Sequence, residues 1–131
     1  MSATAGLYVF ENGVTLPRFQ TKRGDRVIDP RRIIYLSGQG NYTIFHLNDG
    51  EQVVTSLSLS SYAPLLETCG FIRVHKSYLL NGYYLDKCRL DRYSELTLPN
   101  GKVIEIARRR RGLLKRIVKD NGLIFRRLVE V

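Results

Sequence analysis

The sequence predicts a mostly β protein whose strands pair antiparallel, with two helices as minor elements. Short runs rich in β-branched and aromatic residues alternate with glycine, asparagine and aspartate, and this is the composition of strands joined by turns. Two such pairs of runs meet at Asp-Gly or Asn-Gly, a signal for antiparallel hairpins. Strands and helices do not alternate along the chain, so a doubly wound parallel sheet is not predicted.

The strands follow from these runs in chain order. The N-terminal third indicates two or three weaker strands around Gly13 and Gly24. Stronger hairpins come later, because Asp-Gly and Asn-Gly supply the positive φ that a tight turn requires. The predicted strands are Arg31–Leu36, Asn41–Leu47, Glu51–Leu57 after the Asn48–Gly50 turn, a pair within Tyr83–Tyr93, and a pair within Ser94–Ile106 around Asn100–Gly101.

Two helices interrupt the strands. In the first, within Ser58–Gly70, the apolar residues on one face are Leu59, Tyr62, Leu65 and Leu66. Proline is tolerated in the first turn of a helix, so this helix is expected to begin at Ser60 or Ser61, shortly before Pro64. The second helix is predicted over Arg109–Asp120, and the residues expected to face the core are Leu113, Leu114, Ile117 and Val118.

Length and composition bound the class of protein. A chain of 131 residues has the size of one domain. No apolar run approaches the roughly 20 residues of a membrane span, and the N-terminus lacks the pattern of a signal peptide. The two cysteines, Cys69 and Cys88, are far apart, which indicates neither a disulfide framework nor a zinc site. We therefore expect a cytoplasmic protein without metal, cofactor or membrane association.

The positive charge is concentrated at the C-terminal end. The net charge is +9, and residues 108–131 hold nine Lys or Arg against two acids. Such a run alone is more often a solvated surface than a binding site. However, four consecutive arginines, 108–111, stand where a helix is predicted to begin, and cations there oppose the helix dipole. A docked phosphate would relieve this conflict, so an anionic partner is a candidate.

The sequence does not favour an enzyme. The G-x-G within Ser37–Tyr42 is followed by a strand, whereas a dinucleotide fingerprint opens a helix. A flexible loop presenting Gln39 and Asn41 is predicted there, and such amides pair with adenine edges. His75 lies near Ser77, but no acidic residue is placed to orient the imidazole. No catalytic residues are therefore predicted, and His46, inside an apolar strand, is interpreted as structural.

Four segments of the chain read, in order, RIIYLSGQGNYTIFHLNDG, SLSSYAPLLETCGFIRVHKSYLLN, GYYLDKCRL and LTLPNGKVIEIARRRRGLLK. Together they resemble the LytTR (LytR/AlgR-type) DNA-binding domain of bacterial transcription regulators. The most specific block is F-x-R-V-H-[RK]-S-x-L-x-N, which spans Phe71–Asn81. The resemblance divides the chain into loosely matched N-terminal strands over 1–24, a LytTR-type domain over 25–120 and a C-terminal extension over 121–131.

The resemblance implies stacked antiparallel β-sheets with one short central helix and a C-terminal helix. It also implies sequence-specific binding of double-stranded DNA, with loops that enter successive major grooves. Carried over by motif, the base-contacting residues are Asn41, Lys76 and Arg109. The residues expected to contact the DNA backbone or to support the site are Gln39, Tyr42, Arg73, His75, Ser77, Arg108, Arg110 and Arg111. Asn81 is interpreted as supporting the fold.

Two departures from the family pattern bear on this reading. Lys76 stands where arginine is usual and Ala107 where serine is common, and lysine lacks the bidentate fork of arginine. No receiver-type segment precedes the strands, so either a separate regulatory or sensor protein controls the domain, or the sequence is a fragment or a stand-alone member. A second copy on direct-repeat sites is also a candidate partner. Two alternatives stay open: a protein-interaction or regulatory module with weak or non-specific DNA binding, and membrane-surface or RNA binding by the C-terminal basic segment.

Overall fold

The computed structural model describes residues 8–11 and 14–120, with side chains from residue 17 onward. Its strands form one large and one small antiparallel sheet, and two short 3-10 helices cover Pro30–Arg32 and Gly82–Lys87. The other elements are β1 Tyr8–Glu11, β2 Val14–Thr21, β3 Gly24–Val27, β4 Ile33–Gln39, β5 Tyr42–Leu47, β6 Gln52–Thr55, α1 Leu59–Glu67, β7 Phe71–His75, β8 Tyr78–Asn81, β9 Arg89–Asp91, β10 Glu95–Thr97, β11 Val103–Glu105 and α2 Arg108–Asp120.

The two sheets confirm the predicted architecture of stacked antiparallel sheets. The large sheet has the strand order β1-β2-β6-β5-β4-β8-β7, with β3 paired to β2. The small sheet has the order β11-β10-β9. The hairpin turns lie where Asx-Gly predicted them, because Gly50 and Gly101 adopt φ of 92° and 90°, a region that glycine enters without steric cost.

Apolar side chains fill a core on each face of the large sheet. Leu36 and Leu79 point to the core beneath α1, whereas their neighbours Tyr35 and Leu80 point to the core beneath the small sheet and α2. Strands buried on both faces have nearly continuous apolar sequences, which explains the runs IIYL and YLL in β4 and β8. The large sheet is therefore the middle layer of three.

A β-bulge in β7 connects the large sheet to α2. Arg73 pairs with Leu79 and His75 pairs with Tyr78, so Val74 is one extra residue in β7. A bulged residue is left out of the regular ladder. The carbonyl of Val74 instead accepts a hydrogen bond of 2.8 Å from the amide of Ala107, the residue before α2. The bulge thus anchors the start of α2 on the end of β7.

The predicted start of the first helix was wrong. α1 begins at Leu59, not at Ser60 or Ser61, and Pro64 is inside the helix. Leu59 is buried and packs against Gly38, where an added Cβ would lie 3.0 Å from the Leu59 Cβ. The amide that Pro64 lacks would have bonded the carbonyl of Ser60; both residues are exposed, so water can satisfy that carbonyl.

Two further expectations are corrected by the structure. Of the predicted strand pair within Tyr83–Tyr93, only Arg89–Asp91 is a strand. The residues before it form the 3-10 helix Gly82–Lys87, whose first free amide, Tyr83 N, is capped by the side chain of Asn81. In α2, Leu114 is 1% exposed but Leu113 is 43% exposed. Leu113 therefore faces solvent, because the buried stripe runs through Leu114 and Val118.

Within the described residues, no helix is long and apolar enough to cross a membrane.

We predict that Asn81→Ala lowers the free energy of unfolding by about 1–3 kcal/mol, the cost of leaving buried polar groups without partners. The Asn81 amide, 4% exposed, donates to the carbonyls of Pro30 and Ile33 and accepts from Tyr83 N. Urea unfolding measures the change. Asn41→Ala is the matched control, because the Asn41 side chain is exposed and makes no hydrogen bond to any described residue. Equal losses in the two variants would contradict the structural role of Asn81.

Candidate nucleic-acid interface

The β4–β5 turn, the β7–β8 turn and the start of α2 lie together at one end of the large sheet, hereafter the turn end. The amide of Gly38 donates to the carbonyl of Ser77 over 2.8 Å, which joins the first two turns. The bond from Ala107 N to Val74 O joins the second turn to α2. A shallow cavity of about 290 Å³ lies between the turns and the start of α1. Its lining residues are Gly38, Gly40, Ser58, Leu59, Ser60, Arg73, Lys76 and Ser77.

The β4–β5 turn is tight, whereas the sequence predicted a flexible loop. Gln39 and Tyr42 are paired in register, so only Gly40 and Asn41 lie between the strands. Gly40 adopts φ of 63°, which permits this short connection. The Tyr42 hydroxyl donates to Gln39 Oε1 over 3.2 Å. Asn41 is therefore presented from a fixed backbone, with its side chain exposed.

The β7–β8 turn is organised by Arg73. Its guanidinium donates from Nε to the carbonyl of His75 over 2.9 Å and from Nη2 to the carbonyl of Lys76 over 2.5 Å. The ring of His75 accepts at Nδ1 from the amide of Ser77 over 3.0 Å. Burial, and then the charge of Arg110, lower the pKa of Arg73 below its ordinary value, while Glu67 opposes this shift. Arg73 and His75 thus shape the turn that exposes Lys76.

The arginines at the start of α2 divide into two kinds. Arg110 Nη1 donates to the carbonyl of Arg73 over 3.3 Å, and Arg111 Nε donates to the carbonyl of Ile106 over 3.0 Å. These two side chains secure the helix to the body of the domain. Arg108 and Arg109 are exposed, and within the described ranges neither side chain has a hydrogen bond or an ion pair.

The same division applies to the whole turn end. Asn41, Lys76 and Arg109 are exposed, and their side chains make no hydrogen bond to any other residue that the structure describes. The supporting set is mostly engaged: each of Gln39, Tyr42, Arg73, His75, Arg110 and Arg111 makes a side-chain hydrogen bond, and Ser77 donates its amide to His75. The structure therefore brings the predicted residues together and leaves three of them available to a ligand, with Arg108 beside them.

His46 lies on the face of the large sheet opposite α1. Its Nε2 is 2.8 Å from the hydroxyl of Ser37, and its ring stacks on Tyr35 with centroids 4.0 Å apart. Burial, and then the charge of Lys102, lower the pKa of His46 to about 4. The other ring nitrogen has no acidic partner among the described residues. Among the described residues, the Ser37–His46 pair therefore has no third group of a catalytic triad beside it, and the contacts with Ser37 and Tyr35 hold the His46 ring on the sheet.

Sequence reasoning missed several residues near the turn end. Lys22 places its Nζ 5.8 Å from the centroid of the Tyr42 ring, and Lys102 lies similarly over Tyr78 at 5.4 Å. Ser58 and Ser60 line the cavity between the turns. These residues come from the β2–β3 turn, the β10–β11 hairpin and the start of α1. No local motif marks them, because their positions depend on the packing of distant segments.

Comparison with known proteins agrees with this architecture. The family model of the LytTr DNA-binding domain matches residues 24–119. Among solved structures, the chain is similar to the LytTr DNA-binding domain of a putative methyl-accepting/DNA response regulator from Bacillus cereus, with 20% sequence identity and a TM-score of 0.58. That alignment covers 82% of this chain and 96% of the other. Among curated proteins, no match was found.

The match over most of the chain identifies this domain of stacked antiparallel sheets as a DNA-binding domain. The chain belongs to the LytTR DNA-binding domain family. Membership implies DNA binding in a regulatory role, and the family is a non-enzymatic regulator fold. The resemblance predicted from the sequence motifs is thereby confirmed.

We predict that protonation of His46 destabilises the fold in acid. Because the folded-state pKa lies below the unfolded value of 6.5, the unfolded chain binds the proton more tightly between about pH 6.5 and pH 4. The free energy of unfolding contributed by neutral His46 is complete above pH 6.5 and is lost as pH falls through that window. Urea unfolding across pH 4–7 gives the free energy of unfolding at each pH. Its slope against pH should be shallower for His46→Gln than for the wild type. An unchanged slope would contradict the assignment.

We predict that Arg73→Lys loosens the β7–β8 turn while keeping its charge, since one ammonium group cannot replace the two-pronged guanidinium. Loss of a charged hydrogen bond costs about 1.5–3 kcal/mol. The Ser77 amide should therefore exchange with solvent at least about ten-fold faster. Hydrogen exchange by NMR measures this, with the Phe45 amide in β5 as the internal control. Equal changes at Ser77 and Phe45 would show a global effect and contradict local positioning.

Proposed function

We propose that the protein is a bacterial transcription regulator that acts in the cytoplasm and binds double-stranded DNA in a sequence-specific manner. One observation carries this proposal: at the turn end, Asn41, Lys76 and Arg109 are exposed and have no hydrogen-bond partner among the described residues. They lie on two turns and a helix start that their neighbours fix. Side chains that are free but presented from a rigid backbone are suited to recognition, because little further ordering is required on binding.

Each of the three side chains has chemistry suited to a base edge. The Asn41 amide matches the paired donor and acceptor of adenine, and the Arg109 guanidinium matches the two acceptors of guanine in the major groove. Lys76 supplies donors without a planar fork, so we assign it a guanine contact of lower selectivity. A good paired contact contributes about 1–3 kcal/mol of discrimination. Arg109 is therefore the strongest candidate for base reading.

Affinity in this proposal comes mainly from charge. Arg108 is exposed beside Arg109, and its side chain is available to a phosphate. The chain as a whole carries a net charge of +9. Neutralising phosphates releases counterions, so the logarithm of the binding constant should fall by about 0.9 for each contact per unit of log salt. Phosphate contacts thus position the turns, and base contacts select the site.

The order of elements across the turn end supports an extended footprint. The β4–β5 turn, the β7–β8 turn and the start of α2 follow one another along the sheet order β5-β4-β8-β7 and onto the helix that packs on β7. We propose that this row lies along one face of the duplex and enters successive major grooves. A second copy on a direct repeat would extend the same face.

We predict that Arg109→Ala weakens binding to the selected DNA site by about 1–3 kcal/mol and weakens binding to random duplex much less. The site is first obtained by selecting bound duplexes from a random pool at roughly physiological salt, and fluorescence anisotropy then gives the binding constants. Arg116→Ala is the matched control, because Arg116 is an exposed arginine further along the same helix.

The outcomes separate the proposal from its rivals. Equal losses on selected and random DNA would make Arg109 a phosphate contact only. If no motif is enriched and no saturable duplex binding occurs, the domain is better described as a protein-interaction or regulatory module. Binding to anionic vesicles or RNA in place of duplex would favour the use of the basic C-terminal segment on those surfaces.

A further inference from the structure

We propose that Lys22 contacts a DNA phosphate beside the β4–β5 turn and that the ring of Tyr42 positions its ammonium group there. This inference rests on the proposed function and extends the interface to the β2–β3 hairpin, which no motif indicated. The observation behind it is the cation over the ring: Lys22 Nζ lies 5.8 Å from the centroid of Tyr42, the residue that follows Asn41.

The backbone at Lys22 is fixed on both sides. Its amide donates to the carbonyl of Val54 in β6 over 3.2 Å. The preceding residue, Thr21, closes the turn through its hydroxyl, which donates to the carbonyl of Gly24 over 2.7 Å and accepts from the amide of Arg23 over 3.1 Å. The long side chain of Lys22 therefore leaves from a defined point beside β6 and reaches toward Tyr42 at the start of β5.

The charge of Lys22 is available to a ligand. Lys22 is exposed, and the ion pairs of the described residues, Arg26–Glu51, Arg31–Asp29 and Arg32–Asp49, do not involve it. An ammonium over an aromatic face is attracted by the ring but remains hydrated on its other side. The contact with Tyr42 therefore restricts where the cation lies without neutralising it.

Tyr42 joins Lys22 to the rest of the turn. Its hydroxyl donates to Gln39 over 3.2 Å, its ring underlies Lys22, and its backbone follows Asn41. Tyr42 is 40% exposed. The Tyr42 side chain thus contacts both the side-chain amide of Gln39 and the ammonium group of Lys22. We assign Tyr42 as a positioning residue for both.

DNA geometry explains why a cation is needed there. A turn that enters the major groove, which is about 12 Å wide, has a phosphate backbone on each side. On the β8 side of the Asn41 turn, Arg108 is available to one backbone. On the β6 side, Thr55 at the end of the strand and Ser56 after it are uncharged. Lys22 supplies the cation for that second side.

The test is the salt dependence of duplex binding by the full chain. Lys22→Ala should lower the slope of log binding constant against log salt by about 0.9, the value for one phosphate contact. Equivalently, its affinity should fall about three- to four-fold less than that of the wild type between 50 and 200 mM salt. The loss should be the same for selected and random duplex, because a phosphate carries no sequence information.

Lys87→Ala is the matched control. Lys87 is an exposed lysine whose Nζ lies 5.3 Å from the centroid of a tyrosine ring, Tyr83, but it belongs to the opposite end of the large sheet. Its slope should equal that of the wild type. An unchanged slope in Lys22→Ala, or an equal fall in Lys87→Ala, would overturn the inference.

A double-mutant comparison tests the role of Tyr42. Tyr42→Leu should reduce the salt slope when Lys22 is present and should reduce it no further in the Lys22→Ala background. An equal reduction in both backgrounds would mean that Tyr42 does not act through Lys22. If the wild type itself shows no saturable duplex binding, the proposed function fails; if it binds and only the Lys22→Ala slope is unchanged, the inference about Lys22 alone fails.

Discussion

The hydrogen bonds of Arg73 are the constraint on which the turn end depends. Its guanidinium holds the carbonyls of His75 and Lys76, and its own carbonyl accepts from Arg110 at the start of α2. Arg73 therefore fixes the β7–β8 turn through its guanidinium and secures α2 through its carbonyl. The bulge at Val74 completes the connection by accepting the amide of Ala107. Without these bonds, Lys76 and Arg109 would not share a defined frame.

In the proposed function, this frame is the source of the selectivity of a strongly basic segment. A row of arginines alone would bind any phosphate backbone, and its affinity would follow charge and salt. Here Arg110 and Arg111 are used internally, while Arg108 and Arg109 point to solvent. The start of α2 thus leaves two of its four arginines free and fixes the backbone position from which each one extends. A side chain that extends from a fixed position can be directed at a base edge and not at the adjoining phosphate.

The parts of the fold that depend on neighbouring residues, such as the tight hairpin turns, could be predicted from the sequence. Gly50 and Gly101 marked their hairpins because tight turns require positive φ. The β9–β10 turn gave no such signal, since Arg92 and Tyr93 adopt positive φ without glycine. The candidate residues came from motif spacing, but the division between free and engaged side chains did not. That division depends on contacts such as Arg110 to Arg73, between residues far apart in the chain, which no local pattern encodes.

The most direct test of the account is chemical-shift mapping of the backbone amides during titration with a DNA duplex. We expect the largest shifts over Gln39–Tyr42, Arg73–Ser77 and Arg108–Arg111, in one saturable transition. The amides of Asn48–Gly50 and of Tyr83, at the opposite end of the large sheet, should stay unchanged. Shifts centred on that opposite end, or none at the three turn-end segments, would contradict the claim that the turn end is the DNA-binding surface.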